Sequence, residues 1–595
     1  MRRAIATAVA VVLLAGLTAS LAGAQDLPDP GDCIAVDMAS SPEKFDLLTS
    51  LANRFNHSDS AEVGGDCIFV RVQKKSSGEG ATLVTRDWPR PGVNGPKPVV
   101  WSPASSAWGQ VVNQRRADQG KSQIVPPGKP IQLTPLVIAM PEPMAEALGY
   151  PDTPIGYSDI LRLANDPAGW GAYGHPEWGP FRLGKTNPNF STSALHATIA
   201  QYYAATGKTS GLTLEDLNRP DVQDFARGVE SAVVHYGDTT LTFLNNLYRA
   251  DARGTALNYV SAVAVEEKSV IDYNKGNPDG ILDPGEKPKP PRVKLVAIYP
   301  KEGTLFSDSP YFVLDAPWVT AKEKQAAKKF EDFIQQRPNQ VRVLKFGFRP
   351  GNPQVAIGKP IVAKNGVDPN QPQTTLEQPA PPVMVGLIDQ WGQNRKAARV
   401  LLVMDVSGSM GDPAGGGTGD TKLDLAKRAA ISALDEFKPE DEVGLWIFST
   451  NISQTEPTDY LEVEPIAPIG AQREAIARRI RDLFPTNGTP LYTVTKAADD
   501  ELLQTFDPGR INAVVLLTDG RNEDDRNTDL QALLRTLRSR NEGNERPVRV
   551  FPIAYGGDAD LGTLQRIAES TNAAVYNASD PKTIEKVFLA VVSNF

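Results

Sequence analysis

Cysteine and histidine are nearly absent from this chain of 595 residues, which has two of the first and four of the second. Two cysteines, Cys33 and Cys67, are too few for a zinc cluster or a disulfide framework. The histidines His57, His175, His196 and His235 show no ligand spacing to one another, so a His-based zinc site or a His-dependent catalytic triad has little material. After the N-terminal stretch no apolar run is long enough to cross a bilayer. Basic excess is also missing. Lys and Arg number 62 against 71 Asp and Glu, a formal charge of -9. That balance disfavours nucleic acid and electrostatic docking on an anionic membrane. What remains is ordinary globular composition, 41% hydrophobic and 22% charged, with length for three or four domain-sized units.

The first residues read as a targeting segment. Arg2 and Arg3 precede an apolar run from about Ala4 to Leu21, and Ala22-Gly23-Ala24 is a small-residue cleavage pattern. A secretory signal peptide over residues 1–24 is expected; an uncleaved anchor helix is the alternative. Export favours a Cys33–Cys67 disulfide over two buried free thiols.

The most informative stretch runs from Val400 to Met410. A continuous apolar run, Val400-Leu401-Leu402-Val403-Met404, reads as a buried parallel strand. It ends in Asp405-x-Ser407-x-Ser409, which presents one carboxylate and two hydroxyls where ligands bind in open α/β sheets. Thr489 stands on a Gly-containing loop before a helix, and Val514 to Thr518 is a second apolar run ending in Asp519-Gly520. A cluster of hard oxygen donors suits Mg²⁺ or Mn²⁺; plain N-capping by the Asp-Ser-Ser cluster is the bland alternative. From about residue 394 onward the chain resembles the von Willebrand factor A (VWA) domain. Its metal-ion-dependent adhesion site matches Asp405, Ser407, Ser409, Thr489 and Asp519. The resemblance implies an open metal position completed by a carboxylate from a protein partner. Gly415 to Gly419 lacks a P-loop ending, so it is expected to be a loop at the rim of that face.

From Cys33 the chain alternates strand-like and helix-like segments. Three pieces place hydroxyls at expected strand-to-helix junctions: Ser40-Ser41-Pro42-Glu43-Lys44, Trp101 to Ser106, and Gly184 to Ser193. These pieces resemble type-2 extracytoplasmic solute-binding proteins, which implies a two-lobed fold. Ser40, Ser41, Ser105, Ser106, Ser191 and Ser193 are the candidate ligand-binding residues. Helix N-termini suit anions, so a small anionic or polyhydroxylated solute is expected in the groove; simple capping is the alternative, and compatible with binding. Residues 25–350 form this domain, with lobe one at about 33–135 and 290–350 and lobe two at 136–290. The chain is expected to return to lobe one through Val293 to Tyr299.

Asn277 to Leu282 with Glu286 overlays parts of a calcium loop, but Lys275 at the first ligand position and Pro288 favour a surface turn. Residues 351–395 are proline-rich and expected to be extended, with a short strand or helix from Val383 to Trp391. Residues 396–595 read as a doubly wound α/β domain, in which Thr421-x-x-Asp424 is a variant capping box. The fold class is therefore α/β throughout. Three functions follow: a non-enzymatic binding protein with two recognition modules, a solute-delivering transport component using the VWA domain for assembly, or an exported hydrolase.

Overall fold

The computed structural model describes residues 27–237, 239–280, 287–415, 419–453, 458–541 and 546–595. The targeting segment, the middle of the Gly415–Gly419 stretch and the later part of the calcium-like loop lie outside the described residues.

The chain begins with β1 (Ile34–Ser40), α1 (Phe45–Asn56), β2 (Asp66–Lys74) and α2 (Ser77–Thr85), then β3 (Val100–Ser102) and α3 (Ala107–Asp118). β1 pairs in parallel with both β2 and β3. Ile34 lies opposite Ile68, so Cys33 and Cys67 come together just before that pairing and form a disulfide with Cα atoms 4.7 Å apart. The long strand β4 (Gln132–Pro141) carries the chain into lobe two. There follow β5 (Leu183–Thr186), α4 (Thr192–Thr206), α5 (Pro220–Ser231), β6 (Val233–Gly237), α6 (Thr240–Arg253), β7 (Ala262–Glu266) and β8 (Leu295–Ile298). Their sheet runs in the order β8, β4, β7, β5, β6.

β8 corrects the expected return path. Its residues pair antiparallel with β4 from Leu295 opposite Pro141 to Ile298 opposite Ile138, which keeps this stretch in lobe two. The chain re-enters lobe one later, through β9 (Pro310–Val313) on β3 and α7 (Ala321–Gln335) on β1. An apolar run fits either sheet, so local pattern does not choose between them.

The proline-rich segment also departs from expectation. Ile361 and Val367 are buried in the lobe-two core. The Ala297 amide donates to the Gly366 carbonyl at 2.8 Å. Proline content limits local backbone conformation but does not say whether a neighbour offers an apolar floor. The segment ends in α8 (Pro381–Asn394), with Pro in its first turn. This helix packs on α3 of lobe one and on α4 and α5 of lobe two.

The last domain contains β10 (Ala398–Asp405), α9 (Lys422–Ala433), β11 (Glu442–Phe448), β12 (Tyr460–Pro468), β13 (Ile511–Thr518), β14 (Arg549–Tyr555), β15 (Tyr576–Ala578) and the terminal α10 (Ile584–Val592). Sheet order is β12, β11, β10, β13, β14, β15. All neighbours are parallel except β11 and β12. Strands added after β10 grow one way and then, from β13, the other, so the topological switch point lies between β10 and β13. Thr421 and Asp424 form the capping box that starts α9. Among the described residues no helix is long and apolar enough to cross a membrane.

Candidate functional site

Two constellations stand out, one at the sheet switch point of the last domain and one between the lobes. Met404 pairs with Leu517, so Asp405 at the end of β10 sits beside Thr518 and the following Asp519. The Asp405 carboxylate accepts hydrogen bonds from the Ser407 amide at 2.7 Å and the Thr518 hydroxyl at 2.6 Å. Asp519 accepts from the Ser409 hydroxyl at 2.8 Å and from the Lys422 ammonium at 2.8 Å. The Ser407 and Ser409 hydroxyls are 3.2 Å apart. Thr489 is buried on the neighbouring loop. A Cβ at Gly520 would stand 2.8 Å from its hydroxyl, so the small residue after Asp519 lets that loop close in.

Both carboxylates are fully buried. Burial and then the neighbouring Asp519 charge push the Asp405 carboxyl up to about 7. Two buried carboxylates in mutual repulsion fit an added cation, which would relieve the cost of holding both ionised. Among the described residues, no group of three His, Cys, Asp or Glu side chains is placed to hold an ion. The donor set therefore depends on its serine and threonine hydroxyls, which suits a hard cation. Lys422 was not legible as a site residue. It is the first residue of α9, and besides Asp519 the exposed Asp558 at 3.8 Å and Asp412 at 4.0 Å are further anionic neighbours. Phe484, 70% exposed, projects two residues before Thr486, whose amide donates to the Val406 carbonyl at 2.6 Å.

The lobes are in direct contact. The Gly78 amide donates to the Phe190 carbonyl at 3.0 Å. The Trp108 indole donates to the Thr192 hydroxyl at 2.8 Å, and that hydroxyl donates to Ser77 at 3.1 Å. About 30 Å³ of free volume remains between them, bounded among others by Glu43, Ser76, Ser77, Ser191, Thr240 and Glu266. The N-termini of α2, α4 and α6 converge there.

The six sequence candidates divide. Ser191 lines the cleft, and Ser193 supports it through a 2.9 Å hydroxyl contact. Ser105 bridges the lobes, its hydroxyl 3.0 Å from the His196 ring nitrogen; burial lowers that imidazole to about 3, so it is neutral. Ser40 donates to its neighbour's carbonyl, and Ser41 is held by Glu43 and Lys44. Ser106 faces away, donating to Gln378 of the proline-rich segment at 3.2 Å.

The cleft is not lined by hydroxyls and helix N-termini alone. Glu266, 6% exposed, borders the cleft. Among the described residues no other residue donates a hydrogen bond to its carboxyl. Burial and then Glu43 push it up to about 7. The Lys44 charge offsets this only in part, since its ammonium is held by Ser41, Glu43 and the Pro103 carbonyl. Ser76 was missed although Ser76-x-x-Glu79 is a capping-box spacing, and the Ser76 hydroxyl does accept from the Glu79 amide.

A two-lobed α/β domain with a closed cleft, joined to a doubly wound domain with an acidic–hydroxyl switch point, defines a modular α/β protein with two candidate recognition sites. The family described as bacterial extracellular solute-binding protein matches residues 36–349, more than half of the chain, and the chain belongs to that family. Residues 400–590 match the von Willebrand factor type A domain. No curated protein matches the chain. Among solved structures, the sulfate-binding protein SubI from Mycobacterium tuberculosis is similar at 15% identity, covering 60% of this chain and 97% of that one, TM-score 0.35. A von Willebrand factor type A protein from Catenulispora acidiphila is similar at 22% identity over 33% of this chain and 42% of its own, TM-score 0.27. The mussel byssus proximal thread matrix protein 1, whose adhesion motif is occupied by zinc, is similar at 19% identity over 33% and 47%, TM-score 0.25. The chain thus spans under half the length of each of these two.

Proposed function

We propose that the protein is an extracytoplasmic, non-enzymatic binding protein whose VWA domain (396–595) binds a protein partner through a divalent cation, Mg²⁺ or Mn²⁺. Asp405, Ser407, Ser409, Thr489 and Asp519 would hold the cation, directly or through water. The cation would offer a Lewis-acid position to an Asp or Glu carboxylate of the partner. The observation that carries this reading is the pair of buried carboxylates at the switch point, ringed by hydroxyls. Phe484 supplies an apolar contact beside that face, of the kind that anchors interfaces.

The test is calorimetric titration of Mg²⁺ into the full chain, together with capture of partners from the native envelope with and without chelator. Asp405→Ala should abolish Mg²⁺ binding and chelator-sensitive capture while the fold survives. Phe484→Ser should weaken capture and leave Mg²⁺ binding intact. Mg²⁺ binding unchanged in Asp405→Ala sinks the assignment.

A second reading concerns the cleft of the front domain (25–350). Its helix N-termini offer donors and Glu266 asks for one, which favours a compact solute that both accepts and donates, such as a protonated oxyanion or a small polyol. Service as the solute-binding part of a transport system, with the VWA domain used for assembly, is the alternative role for the same cleft. Inorganic phosphate, sulfate and a sugar panel should separate by thermal shift, since a bound solute stabilises by about 2.7 kcal/mol at a hundredfold excess over Kd. No shift with any of them removes the solute reading.

A further inference from the structure

The VWA domain touches both lobes beside the cleft, and so does the proline-rich segment 351–395, a strap that leads to it. On lobe one, the Lys586 ammonium of α10 meets the Glu79 carboxylate of α2 at 2.8 Å. Glu79 lies two residues from Ser77 of the cleft lining. Arg90 adds an exposed pair with Glu585 at 3.5 Å. On lobe two, the Asn187 side-chain amide donates to the Ser593 carbonyl at 3.1 Å. The Tyr236 amide donates to the Asn594 carbonyl at 3.1 Å. Asn187 lies four residues before Ser191. A second patch follows on α6: Asn246 and Arg253 donate to Asn572 at 3.3 and 2.7 Å, and Arg249 pairs with Glu569 at 3.3 Å. The Arg549 guanidinium lies over the Tyr259 ring, 5.4 Å from its centroid.

The last residue closes this surface. Phe595 is buried, with Phe551 at 5.4 Å and Phe437 at 6.3 Å between ring centroids. It belongs to one continuous apolar cluster that also contains Tyr236 and Trp391 of the front part of the chain.

The strap spans the same gap from another side. Ser106 of lobe one donates to Gln378. The next residue toward the N-terminus, Glu377, donates its amide to the Thr209 carbonyl of lobe two at 2.9 Å and accepts from the Gly211 amide at 2.9 Å. Asn394, at the end of α8, donates to the Tyr202 hydroxyl at 3.1 Å and to Gln223 at 2.6 Å.

We propose that the strap and the docked VWA domain form a latch within the chain that holds the two lobes closed, so that solute exchange at the cleft requires the domain to undock. Hinge opening moves α2 and β5 apart, and a rigid body bonded to both must release one of them. Opening therefore costs the seam contacts and one side of the latch together. A solute that enters only the open form meets an apparent affinity reduced by the fraction of chains that are open. Linkage makes the effect reciprocal: whatever forces the lobes apart must weaken docking.

Hydrogen–deuterium exchange on the full chain tests this without any solute, so its outcome is independent of the solute reading. Two regions are followed together. The seam is read at residues 77–81 and 190–193, and the docking surface at 233–236 and 584–595. The strand 511–518 reports whether the VWA fold is intact. Lys586→Glu combined with Asn187→Ala should speed exchange at the docking surface and at the seam by about tenfold or more, with 511–518 unchanged. Gly78→Val works from the other side: a Cβ there collides with the Asn189 carbonyl oxygen, so the seam cannot close, and docking-surface exchange should rise in parallel. Faster exchange at the docking surface with an unchanged seam overturns the latch. So does failure of the first variant to loosen the docking surface at all, because the named contacts would then not be what holds the domains together.

Discussion

Asp405 and Glu266 are buried carboxyls of the same kind in different settings. Each is raised to about 7 by loss of water and by a second carboxylate nearby, Asp519 in one case and Glu43 in the other. The sign of the effect on stability follows. Unfolded, Glu266 titrates near ~4.3. Between that pH and about 7 the folded chain keeps a proton that the unfolded chain has lost. Stability should therefore fall as pH rises through this window, by at most roughly 4 kcal/mol for this group. Glu266→Gln removes the titration, so urea unfolding from pH 4 to 8 should show a stability difference, variant minus wild type, that grows with pH. A flat difference would mean that Glu266 is not held in a proton-retaining environment. Of these groups, Asp405 and Asp519 were legible because each ends an apolar run. Glu266 and Lys422 were not. Glu266 is set against Glu43 only by lobe closure, and Lys422 against Asp519 only by the packing of α9 on the sheet.

The elements themselves were largely readable. The apolar run before Asp405 and the Thr421–Asp424 box each became the element expected. Pairing was less accessible, because a parallel partner is chosen by crossover geometry and not by local pattern. β8 illustrates this: its residues were expected to lead the chain back to lobe one, yet they pair with β4 in lobe two. The disulfide is the one long-range contact that scarcity revealed, since Cys33 had no other partner. Its 34-residue separation gives it about 3–4 kcal/mol of unfolded-state restriction. Cys33→Ser with Cys67→Ser should lower the unfolding free energy of the front domain by that order. Thiol titration of unfolded, unreduced wild-type chain should find no free thiol. Equal stability of the two proteins, or two reactive thiols in the exported wild type, would contradict this.

The front domain, the strap and the VWA domain share one apolar cluster, from Val36 in β1 to Phe595 at the end of the chain. Buried ionic and polar groups reinforce the boundary. Lys185 pairs with Glu230, Tyr236 donates to Glu230 at 2.6 Å, and the same Tyr236 hydroxyl accepts from the Lys396 amide at 3.0 Å. Separate domains joined by a loose linker would unfold separately. Here a calorimetric scan of the full chain should give one coupled endotherm, and loss of the Cys33–Cys67 disulfide should lower the VWA signal along with that of the front domain. Two well-separated endotherms in the wild type would contradict the shared core. The sequence alone determined the α/β class, the two kinds of domain, their order, and the oxygen-bearing residues at the end of β10 and after β13, because these depend on periodicity and on short spacings. Tertiary structure decided how the lobes close, which serines reach the cleft, the buried carboxylate that faces it, and the docking of the last helix across both lobes. Those features join residues hundreds of positions apart through complementary surfaces, which no local pattern encodes.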